Sequence, residues 1–261
     1  MLSKNKIKFI NSLKKKKNRI KKGFFIAEGE KIITELINSS TYKIADLFAT
    51  DSFISKLSNQ QKATINELHM VTEEELSKIS DLKNPNKTLA VVKIPEYTSE
   101  PEEVKKSLCL VLDNINDPGN LGTIIRTADW FGIKHIFCSE GSVDLYNPKV
   151  IQSTMGSFIR IKLFYKNLET FLQTFTDING FQIYGCFLEG ENIYSAPLED
   201  KGLIVMGSES HGISDKLKDY IHKKLYIPRF ISNGEQQTSE SLNISVATGI
   251  VCSEFRRELI K

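Results

Sequence analysis

Beyond residue 107, short apolar runs alternate with helical patterns, and this alternation constrains the fold more than any other feature of the sequence. Residues 108–112 (LCLVL) read as a buried strand, 121–131 as a helix, 135–138 as a strand and 148–158 as a helix. Residues 159–165 are strand-like and 167–176 helical; further strands are expected at 181–188, 203–206 and 225–227, before a closing helix over 242–259. Such a series predicts an α/β domain with a mostly parallel sheet and helices on both faces, because parallel neighbours need a crossover long enough to hold a helix. Ligands of such sheets bind beyond the C-terminal ends of the strands. The loops after 108–112, 203–206 and 225–227 are therefore where chemistry is expected.

Residues 23–94 read as a smaller mixed α/β domain. Ile26, Ile32, Ile33, Leu36 and Ile37 are spaced as one helix stripe over 26–38, and 44–50 suits a short buried strand. Thr72, with Glu75 three residues on, is a capping box before a short helix. Residues 89–94 are strand-like and end at Pro95, and the polar segment 95–107, bracketed by Pro95 and Pro101, is expected to be a linker to a domain over 108–261.

The net charge of +3 hides an asymmetry: residues 1–22 hold ten lysines and arginines and no acid, leaving 25 basic against 32 acidic groups elsewhere. A basic arm on an acidic body seeks a polyanion, nucleic acid first and an acidic membrane surface next, although a solvated helix face has the same composition. Lys14, Lys15, Lys16, Lys17, Arg19, Lys21 and Lys22 are its candidate nucleic-acid contacts. With 40% hydrophobic residues the chain is neither disordered nor a disulfide scaffold. No run approaches the roughly 18 apolar residues of a spanning helix, and no apolar leader core follows the basic start, so a cytoplasmic protein off the membrane is expected. The four cysteines form no CxxC pair and the four histidines no HExxH motif, so no metal is expected and the thiols read as small buried residues.

Each of the three loops is unusual. Residues 113–126 (DNINDPGNLGTIIR) run from a strand into a turn where Gly119 and Gly122 allow close backbone approach, and Asn120 and Arg126 can share the loop mouth if the helix starts near Leu121. Residues 205–214 (VMGSESHGIS) bracket Glu209 with Gly207 and Gly212. Ser210 lacks a GxSxG frame and no GxxxxGK[ST] loop exists, which removes serine-hydrolase and P-loop readings. In the third, residues 227–250, Ser241, Leu242, Asn243 and Ser245 open a helix with polar groups that either bind a ligand or cap the helix.

Taken in order, GN-LG-IIR, V-MGSE--GIS and IP followed by SLN-S-A--I resemble the three motifs of the SpoU (TrmH-like) branch of the SPOUT RNA methyltransferases. FFIAEGEKIITELI and PNKTLAVV resemble the L30e-like substrate-binding domain that accompanies many ribose 2'-O-methyltransferases of this family, so the likeness covers roughly residues 18 to 258. It implies transfer of a methyl group from S-adenosyl-L-methionine to a ribose 2'-hydroxyl in RNA, on a homodimer with a C-terminal trefoil knot. By the same resemblance Arg126, Asn120, Glu209 and Asn243 are the catalytic positions, and Gly207, Ile227 and Leu242, with Ser241 and Ser245 behind them, hold the cofactor. A guanidinium stays protonated in proteins, so Arg126 is expected to clamp a phosphate or developing alkoxide charge rather than to take a proton. One departure is the stretch RFISNGEQQTSE between Pro228 and Ser241, longer than the family's usual link.

The expected function is 2'-O-methylation of structured RNA, with 23S ribosomal RNA favoured over transfer RNA because an extra domain and a basic arm suit a large folded target. A non-catalytic RNA-binding or ribosome-associated protein on the same fold is the alternative.

Overall fold

The run Leu108–Leu112, buried at all five positions, lies inside a seven-stranded sheet in the computed structural model, which describes residues 2–82, 87–98, 100–230 and 241–257. Across that sheet the strands run Lys162–Lys166, His135–Ser139, Leu108–Leu112, Gly202–Met206, Ile183–Phe187, Lys223–Tyr226 and Glu191–Asn192. Every neighbouring pair is parallel. Gly202–Met206 is also buried end to end, so side chains pointing to either face of the central strands are covered. Leu108–Leu112 feeds its chain to one side of the sheet, and Gly202–Met206 adjoins it on the other. That reversal of strand order is where an open parallel sheet leaves a crevice.

The chain packs as two units: Met1–Tyr97 with Asp144–Ile159, and Thr98–Val143 with Arg160–Lys261. The first is built on a four-stranded sheet in the order Phe24–Glu28, Thr88–Lys93, Ile44–Ala49, Glu67–Met70. The expected capping box is present, with Thr72 Oγ1 accepting from Glu75 N at 3.2 Å and Glu75 Oε2 accepting from Thr72 N at 3.1 Å. Several expectations are revised. Ile26 sits on the strand Phe24–Glu28 and the helix begins only at Glu30, because Gly29 at φ +103 turns the chain between them. The supposed linker contains the helix Pro101–Lys105, whose Val104 is buried in the second unit. The helix expected at 148–158 stops at Thr154, where Met155 adopts φ +51, and it belongs with the first unit. Tyr146 lies against Phe25 with ring centres 4.6 Å apart, and Phe158 packs edge-on to Phe25 and Tyr42.

The basic N-terminal segment is likewise part of the first unit. It forms the helices Lys4–Ser12 and Lys16–Lys22, and Ile10 and Leu13 are buried in the core with Ile26, Phe48 and Leu89. Arg19 is 2% exposed; its Nε meets Asp144 Oδ2 at 3.0 Å and its Nη1 donates to the carbonyls of Leu13 and Lys14. A guanidinium held this way fixes the turn between the two helices. Lys6 anchors the first helix, its Nζ 2.5 Å from Asp46 Oδ1 and 3.3 Å from Glu67 Oε2, beside His69. Among the described residues no helix is long and apolar enough to cross a membrane.

Burial opposes ionisation of Asp46, yet hydrogen bonds from Lys6 and His69 hold its carboxyl below the ordinary value. A depressed carboxyl contributes stability that is present above its unfolded pKa of about 4 and is lost as pH falls through the lower folded value. Asp46→Asn is therefore expected to lower the thermal midpoint at neutral pH, and the two melting curves are expected to converge in acid. An equal gap at every pH would remove the ion pair from the account.

Candidate functional site

Leu108–Leu112 and Gly202–Met206 lie side by side in register, Leu112 opposite Met206, so the loops that follow them leave from the same end of the sheet. After the first strand, Asp117 caps the helix Pro118–Trp130, its Oδ1 accepting from Asn120 N at 2.8 Å, with Pro118 at the first helical position, where no amide hydrogen is needed. After the second, residues 208–212 close into a tight turn through Ser208 N to Gly212 O at 3.1 Å and Gly212 N to Ser208 O at 2.8 Å. Gly207 permits this turn, because a Cβ there would lie 2.0 Å from the carbonyl carbon of Gly212. The turn presents Glu209.

One oxygen of that carboxylate gathers the site. Glu209 Oε1 accepts from Asn120 Nδ2 at 3.1 Å, from Asn243 Nδ2 at 2.6 Å and from Ile244 N at 3.1 Å. Asn243 Nδ2 also reaches Asn120 Oδ1 at 3.0 Å, which closes a triangle of side chains from the three loops. The other end of Asn243 caps the closing helix Ile244–Arg257: its Oδ1 accepts from Ser245 N at 3.0 Å and from Ser245 Oγ at 2.6 Å. Of the two roles open from the sequence, ligand binding or capping, the structure shows capping, and the same side chain also joins the triangle.

A second carboxylate ties the first two of these loops together, and sequence reasoning missed it. Asp113, 2% exposed, accepts at Oδ2 from Ser214 N at 2.8 Å and from Ser214 Oγ, and at Oδ1 from Asn114 Nδ2 at 2.8 Å. Asn114 holds φ +56, a left-handed conformation that asparagine tolerates, and its amide donates to Ser139 Oγ at 2.8 Å. An acidic residue directly after an all-apolar strand was the available signal, since a carboxylate at a buried strand end needs partners.

Arg126 stands apart from the triangle. The helix starts at Pro118 rather than near Leu121, so Asn120 and Arg126 both lie within it, six residues and about 120° apart around the axis. Arg126 is exposed and pairs with no described residue. Of the expected cofactor positions, Gly207 is buried, Ile227 and Ser245 half-buried, and Ser241 and Leu242 exposed. Leu188 and Phe230, also exposed, sit just beyond the C-terminal ends of Ile183–Phe187 and Lys223–Tyr226. Apolar side chains beside strand ends and a glycine turn suit the adenosine part of such a cofactor. Of the stretch after Pro228, residues 231–240 lie outside the described residues.

The expected RNA contacts divide by environment. Lys15, Lys16, Lys17 and Lys21 are exposed. Lys14 is half-buried and pairs with Asp81 at 2.7 Å, and Lys22 donates to Ser12 Oγ at 2.7 Å and lies over the Phe9 ring. Arg19 is committed to Asp144 and to backbone carbonyls, so its role is internal. Burial pushes the thiols of Cys109 and Cys252 up to about 12, which leaves both unreactive near neutrality.

Residues 107–253 match the model of the SpoU rRNA methylase family, and residues 4–90 that of the MRM3-like substrate binding domain. The chain is similar to the 23S rRNA (guanosine(2553)-2'-O)-methyltransferase RlmP of Bacillus subtilis, at 28% identity over 96% of each chain. It is similar in structure to an RNA methyltransferase of the TrmH family from Porphyromonas gingivalis, with a TM-score of 0.87 and 36% identity over 99% of each chain. An AdoMet-bound rRNA methyltransferase from Sinorhizobium meliloti superimposes with a TM-score of 0.85 at 27% identity, covering 100% of this chain and 97% of that one.

Gly207→Ala drives a methyl group into the backbone of residues 212 and 213 and is expected to displace Glu209 from its three donors. Calorimetry should find binding of S-adenosyl-L-methionine lost or weakened more than tenfold, while Gly249→Ala, with open space at its Cβ, leaves it unchanged. Equal affinity in both variants would detach the turn from the cofactor.

Proposed function

Because the chain belongs to the SpoU rRNA methylase family, we propose that it transfers a methyl group from S-adenosyl-L-methionine to a ribose 2'-hydroxyl of ribosomal RNA, with 23S RNA favoured. The observation that carries this reading is the Asn120–Glu209–Asn243 triangle, which draws the three motif loops to the C-terminal end of one parallel sheet. RNA as substrate is supported by the MRM3-like substrate binding domain and by relatives named as 23S rRNA 2'-O-methyltransferases. Transfer RNA is the second reading, and the substrate domain over residues 4–90 weighs against it.

Bound S-adenosyl-L-methionine supplies a methyl carbon already activated on a sulfonium. The work left to the chain is to place the 2'-oxygen in line with that carbon and to stabilise charge on the oxygen as its proton passes to water. Backbone groups of Gly207, Ile227 and Leu242, with the hydroxyls of Ser241 and Ser245, hold the cofactor. Glu209 fixes Asn120 and Asn243, so the floor of the site is formed before RNA arrives. Arg126, free on the outer face of its helix, grips the phosphate next to the target ribose. Lys15, Lys16, Lys17 and Lys21 supply further phosphate contacts, and Lys14 and Lys22 do so only by loosening their internal bonds.

The same reading makes the chain a cytoplasmic homodimer whose C-terminal part is threaded as a trefoil knot. Exposed Leu242 and Val246, at the start of the closing helix, support pairing with a second copy.

Incubation with tritiated S-adenosyl-L-methionine and total RNA from a strain lacking the gene is expected to label ribosomal RNA at one position resistant to alkaline cleavage. Arg126→Ala should retain cofactor affinity and lose at least a hundredfold in turnover, about the worth of a charge-stabilising donor. Unlabelled RNA from ribosomes and their assembly intermediates alike would overturn the reading.

A further inference from the structure

Trp130, the chain's single tryptophan, ends the helix Pro118–Trp130 with 86% of its surface exposed. It continues a stripe. Arg126 lies one helical turn before it and Thr123 a turn earlier again, both exposed, so the three share one face of the helix at spacings of four and three residues. The stripe mixes a cation, a hydroxyl and an aromatic ring, in contrast to the apolar Val246 on the closing helix and Leu242 just before it.

The groups on residues next to Trp130 leave a net positive charge, since the nearby acid is already paired. On one side Asp129 is neutralised by Arg160, whose Nε reaches both carboxylate oxygens at 3.0 and 2.9 Å. On the other side the carbonyl of Phe131 accepts from Arg256 Nε at 2.9 Å. Exposed Lys134 follows the turn at Gly132, which holds φ +68. An exposed indole with cations held on its chain neighbours matches the composition by which proteins bind unpaired nucleotides: the ring stacks on a base while the cations follow the phosphates.

We propose that Trp130 is a stacking platform for an unpaired base of the substrate RNA, with Arg126, Lys134 and Arg256 directed to the phosphates around it. This rests on the reading of the chain as an RNA methyltransferase and adds where on the second unit the RNA is held and in what form. A base stacked one helical turn, about 6 Å, from Arg126 lies within reach of the phosphate that Arg126 grips, so the platform selects targets flanked by an unpaired nucleotide.

A single tryptophan makes the test direct. In the full-length protein at low salt, poly(U) is expected to quench the emission of Trp130, whereas polyphosphate of equal charge and a poly(A)·poly(U) duplex leave it unchanged. Trp130→Ala should weaken poly(U) binding about tenfold, the effect of losing one stacked base; Trp130→Phe should restore most of it, and both variants should keep wild-type affinity for S-adenosyl-L-methionine. The proposal is overturned if labelled poly(U) binds to saturation with no change in emission. It is overturned equally by a blue shift that grows with protein concentration in the absence of RNA, which would assign Trp130 to contact between copies. Methylation of RNA at wild-type KM by Trp130→Ala would reject the platform and leave the methyltransferase reading intact, whereas absence of methylation by the wild-type chain strikes that reading and leaves the quenching experiment to judge the platform.

Discussion

Glu209 Oε1 is the point on which the second unit's functional end depends. Its three donors come from loops far apart in sequence: Asn120 stands 89 residues before Glu209, and Asn243 stands 34 after it. Hydrogen bonds to an ionised acceptor are shorter and stronger than neutral ones, and three on one oxygen leave its loops little freedom. Gly207 makes the arrangement possible by letting the turn fold tightly enough to present the carboxylate. Asp113 repeats the device, holding Ser214 two residues past the same turn. The stretch from 207 to 214 is thus fastened near its middle and at its end by two carboxylates with different partners.

This explains how exposed polar side chains can be ordered at the rim of a buried sheet. Glu209 and Asn243 are exposed and Asn120 is half-buried, yet each is placed by a backbone element that is itself buried or capped. Asn120 is set by the Asp117 cap, Glu209 by the strand Gly202–Met206, and Asn243 by its own cap on the closing helix. The cluster is polar and pre-formed, which suits the proposed role, since positioning is most of the task when the electrophile arrives already activated. In the first unit the same logic serves stability. Arg19 and Lys6, from a segment that looks like a solvated tail, lock its two helices to acidic partners.

Much of this was legible in the sequence. The strands of the parallel sheet announce themselves as apolar runs because they are covered on both faces, and glycines, asparagines and acids at their ends mark the loops with chemistry. What periodicity could not separate was Ile26 from the stripe beginning at Ile32, since a buried strand followed by a helix offers the same apolar residues until a glycine divides them. Composition could not tell Arg19 from Lys16, because burial of a guanidinium depends on Asp144, distant in sequence. For the same reason the packing of Asp144–Ile159 with the first unit was invisible: its cause is aromatic contact of Tyr146 and Phe158 with Phe25, a long-range match that no local pattern encodes. The direction of Arg126 hung on three residues of helix start, which Asp117 and Pro118 decide.

The most direct test of the shared-acceptor account is a double-mutant cycle on cofactor affinity with Asn120→Ala and Asn243→Ala. If both act by holding Glu209, their effects overlap, and calorimetry should find the double variant scarcely weaker than the worse single one, a coupling of about 1 kcal/mol or more. Losses that simply add would mean that the two asparagines act independently, and that the carboxylate between them is a neighbour rather than the link.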